Sequence, residues 1–594
     1  MPIAPTLPRR AGHFALFCAA LLPLAASAKC QVQSFDIPIT MKHQRVVAQL
    51  HVNGTEIPFT VDSGAFFSAM TEAAAAQLNL KSRRSGLEAW GMTGRIDFRV
   101  TRVERLGLQG SEINGVEFLV GGNEPGAGTM GLLGRNVLSV GDTEYDLANG
   151  FVRLMRPNAD CADVGLAYWA DKTPVVEVPL ITHLRDQAPP IEAKASINGK
   201  SVKVVFDTGA SSTLSLDAAK RLGVIDDETR LKPAGVMKGA GRGERPFWIV
   251  PVASFELGGE RVNNIRLLVA DMVDFDGVDM LIGIDFFLSH RIYVARSQNR
   301  ILFTYNGGPV FALSEKADTS LTAGEGNADA PLDAAGLSHR AAVSAARDDL
   351  KGALADLDRA VELAPAVAAY RAQRAQLRLG QRQRDAALAD LDEALRLDPQ
   401  ADEARLDRAW VFLAKRALDS ARADLQVLDG RVAPQSNLRR RMGQLFLSLD
   451  EPLLAVQQFD QWVASHTREV DLYEVLNSRC WARALANTQL DKALDDCDEA
   501  LDAKPKEAAY LDSRGLVYLR QGKWKKAIAD YNAALAVNPK MAWSLWGRGL
   551  AQLHSGARDP GLADIAAAKA MRPRIEADVH YYGLDVPADL AAVP

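Results

Sequence analysis

Over the first half of the chain, apolar and polar residues alternate in short runs that predict β-strands. Ile57, Phe59 and Val61 hold alternate positions of one run, and Val202, Val204 and Phe206 of another. Asn53-Gly54 and Asn198-Gly199 stand just before these runs and predict type I′ hairpin turns, whose two central residues both need positive φ. One run ends in Asp62-Ser63-Gly64-Ala65 and the other in Asp207-Thr208-Gly209-Ala210, each aspartate nine residues after its Asn. Coincidental turns would not share that spacing.

The parallel runs on downstream. Gly91 and Gly94 in the first unit, and Gly239, Gly241 and Gly243 in the second, suit flexible hairpin flaps. Each set is followed by two strands joined at a Gly-containing turn, Leu106–Gly110 and Leu257–Gly259, then by the runs Val116–Val120 and Ile265–Val269. Next come two apolar-apolar-Gly strings, Leu132-Leu133-Gly134-Arg135-Asn136 and Leu281-Ile282-Gly283-Ile284-Asp285. One last strand is expected to close each unit, around Tyr145–Leu154 and Tyr293–Phe303. The unit repeats at an offset of 145 residues that drifts to 149.

With these strings in this order, residues 35–307 resemble the retropepsin-type aspartic peptidases, two protomers fused in tandem. The resemblance implies an all-β pseudo-dimer in which Asp62 and Asp207 meet across a pseudo-two-fold axis at the floor of a cleft. Two carboxylates that close share one proton, so one serves as general base on a bound water and the other as general acid. Neither metal nor cofactor is needed. Ser63 and Thr208 would hydrogen-bond into the opposite loop, and Gly64 and Gly209 would let the loops approach. The flaps would close over an extended peptide. Trp90, beside Gly91, is either a lid aromatic or a core residue. The bland alternative makes both strings ordinary turns with solvated carboxylates. Gly126-Ala-Gly-Thr-Met-Gly131 fits a dinucleotide-binding string, but no βαβ pattern surrounds it and it leads straight into Leu132-Leu133-Gly134.

Beyond residue 333 the chain reads as helical. Pro365, Pro399, Pro434, Pro505, Pro539 and Pro573 fall at or near multiples of 34 residues, the tetratricopeptide (TPR) period. Gly515, Tyr518, Gly522, Ala527, Tyr531, Ala534 and Pro539 stand where such a repeat wants small, aromatic and helix-ending residues, and about seven repeats fit residues 334–573. A solenoid of this kind commonly offers a groove for a peptide or protein partner; a spacer or oligomerisation surface is the alternative.

Residues 1–28 read as a cleavable secretory signal: Arg9 and Arg10, then a short apolar core, then Ala26-Ser27-Ala28. That places the protein in the periplasm or outside the cell. Its removal takes Cys18 and leaves Cys30, Cys161, Cys480 and Cys497, an even number. The expected pairs are Cys30–Cys161 and Cys480–Cys497, with buried thiols as the alternative. A net charge of −5 gives no argument for nucleic acid, and no segment is apolar and long enough to span a membrane.

The expected organisation is a signal peptide (1–28), lobe one (30–165), lobe two (172–307), a linker (308–333), TPR repeats (334–575) and a C-terminal cap (576–594). Its expected function is an exported aspartic endopeptidase whose repeats recruit a substrate or partner protein. The alternative is an inactive peptide-binding clamp and scaffold in an envelope assembly. Lobes that each need a second chain are disfavoured by the short connection between them.

Overall fold

A computed structural model of the chain describes residues 30–588, except 92–93, 109, 124, 171–172, 183–187, 227–230, 239–243, 273–276, 312, 314–318 and 322–331. The first half is β-rich and the second helical. In lobe one, the strands Arg45–Val52 and Thr55–Val61 form a hairpin over Asn53 (φ 51°) and Gly54 (φ 90°). Lobe two repeats it with Glu192–Ile197 and Lys200–Phe206 over Asn198 (φ 50°) and Gly199 (φ 75°). The second strand of each hairpin then pairs in parallel with a short strand from the apolar-apolar-Gly string. Val61 lies opposite Leu133, and Phe206 opposite Ile282. That crossover forces the chain to turn sharply at each Asp.

Each unit closes with two strands where the sequence pattern suggests one. Asp142–Asp146 and Phe151–Pro157 are antiparallel, as are His290–Ala295 and Arg300–Tyr305. Gly150 (φ 85°) and Asn299 (φ 54°) supply the left-handed residue of each tight turn, a signal hidden inside an otherwise apolar run. These hairpins join the lobes. Ile292 and Val294 pair with Tyr145 and Thr143, so strands of both lobes run in one sheet and the two halves share a continuous core.

The helical half consists, among the described residues, of seven antiparallel pairs followed by a short helix, Ile575–Tyr581. The pairs run from Ala334–Ala346 with Leu350–Leu363 to Ala542–His554 with Arg558–Met571. Each buries small residues where its helices touch: Gly515 and Gly547 lie against the Tyr531 ring, where a Cβ would come within 3.0 Å. No described helix is long and apolar enough to cross a membrane. The solenoid rests on the lobes. Glu72 accepts from Thr467 Oγ1 (3.0 Å) and pairs with Arg468 (3.2 Å), the Val470 N–H donates to Asn123 (2.8 Å), and His339 Nε2 meets the Leu147 carbonyl (2.9 Å). Val310 and Phe311, just past lobe two, are buried in its core, and Thr319 bridges to Val262.

Candidate active site

Asp62 and Asp207 leave their strands side by side. The Asp62 N–H donates to the Leu133 carbonyl (3.0 Å), and the Asp207 N–H to that of Ile282 (2.8 Å), which fixes where each loop begins. The next residues cross over. The Ser63 N–H donates to Thr208 Oγ1, and the Thr208 N–H to Ser63 Oγ, both at 3.0 Å. Ser63 Oγ donates onward to the Phe206 carbonyl (3.0 Å), and Thr208 Oγ1 to the Val61 carbonyl (2.8 Å). Both hydroxyls are fully buried, so these four bonds replace water and lock one loop against the other.

The glycines explain the close approach. A Cβ on Gly64 would lie within 3.0 Å of the Asp207 carboxyl, and one on Gly209 equally close to the Asp62 carboxyl. Each carboxyl thus occupies the space a side chain would need. Asp62 Oδ1 accepts from the N–H groups of Gly64 (3.0 Å) and Ala65 (2.8 Å), while Asp207 Oδ1 accepts from Gly209 (2.8 Å). Burial, the Asp62 charge and a hydrogen bond between the two carboxyls push Asp207 up to about 8. Two ionised groups at this separation are unfavourable, and one proton between them removes the conflict.

A second tier holds the loops from behind, and the sequence reading passes over it. The Ser68 N–H and Oγ both donate to Asn136 Oδ1 (2.7 Å each), and the Gly134 N–H donates to Ser68 Oγ (2.9 Å). In lobe two the Ser212 N–H (3.1 Å) and Oγ (2.6 Å) donate to Asp285 Oδ1, and the Gly283 N–H to Ser212 Oγ (2.9 Å). The signal was present: Asn136 and Asp285 each stand two residues after the string glycine. It was obscured because Ser68 lies six residues after its Asp and Ser212 only five after its own. Arg45 is a further unforeseen neighbour. Its guanidinium donates to the Gly209 carbonyl and its charge draws Asp207 downward, against the burial.

The flap glycines sit as follows. Arg83–Gly91 and Gly94–Leu108 form a hairpin with Trp90 opposite Arg95 and Gly91 opposite Gly94. The Trp90 side chain lies outside the described residues. In lobe two, Gly235–Lys238 pairs with Glu244–Leu257 up to Lys238 opposite Glu244, and Gly239, Gly241 and Gly243 lie outside the described residues. Two residues separate the last paired positions in lobe one and five in lobe two. Cys30 is joined to Cys161, and Cys480 to Cys497 inside the fifth helix pair. No cluster of possible metal ligands occurs among the described residues.

Residues 48–140 match the family described as gag-polyprotein putative aspartyl protease, and 193–286 that described as aspartyl protease. Residues 373–436 match a tetratricopeptide repeat model and 515–556 a TPR repeat model. The chain carries aspartyl protease domains followed by TPR repeats. No curated protein matches it. Similar solved structures include a tetratricopeptide repeat protein from Parabacteroides merdae, 18% identical, covering 42% of this chain and 98% of that one with a TM-score of 0.32. Another is YrrB, a TPR protein with an unusual peptide-binding site, 21% identical, covering 32% of this chain and 95% of its own with a TM-score of 0.28. The family matches make the chain a protease-like protein with a protein-interaction domain.

Proposed function

We propose that this protein is an exported, single-chain, retropepsin-like aspartic endopeptidase, with Asp62 and Asp207 as its catalytic pair. One observation carries the reading: the reciprocal Ser63–Thr208 exchange, with each carboxyl set against the opposite lobe's glycine. Such an arrangement suits hydrolysis. A water held between the carboxyls loses a proton to the ionised one as it attacks the peptide carbonyl. The protonated one donates to the carbonyl oxygen. The carboxyl that took the water's proton then passes it to the amine nitrogen as the C–N bond breaks, while a hydroxyl of the intermediate returns its proton to the other carboxyl. The titration belongs to the pair, so neither Asp is assigned acid or base.

Export is supported by the charged, apolar and Ala-x-Ala segments of residues 1–28 and by the two disulfides, which persist in oxidising compartments. The repeats are read as recruiting the protein substrate or a partner.

The test is to incubate the chain starting at Lys29 with a diverse peptide mixture between about pH 4 and 7, with Asp207→Asn as control. Mass spectrometry reads the cuts. Cleavage by the unaltered protein alone establishes the activity and its subsite preferences. Silence from a folded protein moves the lobes to the role of a peptide-binding clamp.

A further inference from the structure

Past the last helix pair the chain folds back over its own repeats. The helix Ile575–Tyr581 stands where the first helix of an eighth pair would begin, with Ile575 and Val579 fully buried. It stops after two turns at Gly583 (φ 62°), and the following residues cross the first helices of the preceding pairs.

What meets them there is a set of side chains aimed at main chain. Arg520, at the end of Ala508–Arg520, donates to the carbonyls of Tyr582 (2.6 Å) and Gly583 (3.3 Å). The same guanidinium donates to the carbonyls of Ala484 (3.0 Å) and Leu485 (3.3 Å), so it is held in place by the fifth pair. Trp546 Nε1, from the seventh pair, donates to the Leu584 carbonyl (2.9 Å). Three consecutive carbonyls are thereby read by side chains, independently of sequence.

Sequence enters through the side chains. Leu584 is 6% exposed and joins the core cluster of the last repeats, beside a cavity it shares with Trp481, Leu516, Trp543 and Trp546. The Tyr581 and Tyr582 hydroxyls reach Asp450, in the turn of the fourth pair, at 3.0 Å and 2.8 Å. The segment therefore spans the face from the fourth pair to the seventh.

We propose that this face is a peptide-binding groove which the chain's own residues 581–584 fill in cis. The ligand it takes in trans is an extended segment of a partner protein with the same chemistry, an aromatic hydroxyl, then a small residue, then a leucine-sized apolar side chain. Main-chain capture supplies general affinity, and the Leu584 pocket and Asp450 supply selection. The tethered tail competes at high effective concentration, so an external segment must displace it. The inference rests on the reading that the repeats bind a protein partner, and requires nothing of the carboxyl pair.

The test uses a labelled synthetic peptide of residues 578–588. It is titrated into the full chain and into a chain ending at His580, which retains Ile575 and Val579 and lacks all of 581–584. The shortened chain is expected to bind at least about ten-fold more tightly than the full one, the difference a tethered competitor makes. A Leu584→Asp peptide should not bind, and Trp546→Phe in the shortened chain, which keeps the ring and loses the donor, should weaken binding several-fold. If the shortened chain does not fold, Leu584→Asp in the full chain releases the tail without cutting it. A folded chain freed of its tail that ignores the peptide overturns the proposal. So does a full chain that binds it equally well, or a freed chain that only dimerises. Recruitment is read separately, as cleavage of a whole protein relative to a short peptide. Its survival without peptide uptake would reject this groove and keep the recruiting role.

Discussion

Asp207 and Asp62 each lean on the other lobe's glycine, and the consequence is electrostatic. The folded chain binds the Asp207 proton more tightly than the unfolded chain does, because burial and the Asp62 charge raise it from an ordinary 3.8 to about 8. That contribution to stability is complete below about pH 4 and is lost as pH climbs toward about 8. Asp207→Asn should therefore melt a few degrees higher at pH 8 while gaining nothing at pH 4; calorimetry at both pH values checks this. On the proposed function, peptide cleavage by the same variant should fall on the order of a thousand-fold. In the unaltered enzyme, cleavage should decline as pH rises through the upper titration of the pair, where the shared proton is lost. A pH–rate profile rising steadily to about pH 9 would contradict that assignment.

The helix pairs are tied by a device with its own period. Arg408 donates twice to Asp424 of its own pair (2.8 and 2.7 Å) and once to Asp392 of the preceding pair (2.9 Å). Arg374, Arg514 and Arg548 do the same, bridging an acidic residue 16 positions ahead and an Asp or Asn 16 behind. Removing Arg408 leaves Asp424, 6% exposed at its side chain, with Arg405 (3.2 Å) as its remaining cation. Arg408→Ala should cost about 2 kcal/mol in urea denaturation, less than for a fully buried pair because Arg405 still pairs with Asp424 and Asp392 stays solvated. Breaking the exposed Arg359–Glu362 pair should cost under about 0.5 kcal/mol. The ladder fails at the fourth pair, where Met442 replaces the arginine, and the segment just after that pair, at 467–470, is the one that meets lobe one. The turns inside each pair repeat as well. Asp348, Arg382, Arg416, Asp450, Asn487, Gly522 and Gly556 all have positive φ, a conformation that costs a side chain about 1 kcal/mol. Arg416→Gly should recover roughly that much, measured by the same denaturation.

At the scale of the molecule, the lobes are fastened by strand pairing and the repeats by side chains. Glu72 and Asn123 each bond to the stretch 467–470, and Asn123 stands in the connection that leads to Gly131–Leu133, the strand behind Asp62. The sequence reading gives the repeats a recruiting role; in the structure they also rest on both lobes, Arg347 donating to the Leu288 carbonyl of lobe two. Glu72→Ala combined with Asn123→Ala should let lobes and repeats melt as two transitions where the unaltered chain shows greater overlap. Coincident calorimetric and circular-dichroism melts in the double variant would refute that coupling.

Much of this was legible beforehand because it is local. Asn-Gly turns, alternating strands, the two Asp-Ser/Thr-Gly strings and the 34-residue period follow from which residues tolerate which backbone, and they mark both halves of the chain. Ser68 with Asn136 and Ser212 with Asp285 were harder to see, since partners about 70 residues apart meet only once the parallel crossover has formed. The arginine ladder was hidden by its span across two helix pairs, and Arg45 by its contact in the other lobe. The tail's place on the repeats, the seat of the repeats on the lobes and the raised titration of the carboxyl pair belong wholly to the tertiary structure. Each depends on which surfaces exclude water from which charges and carbonyls, and no spacing along the chain encodes that.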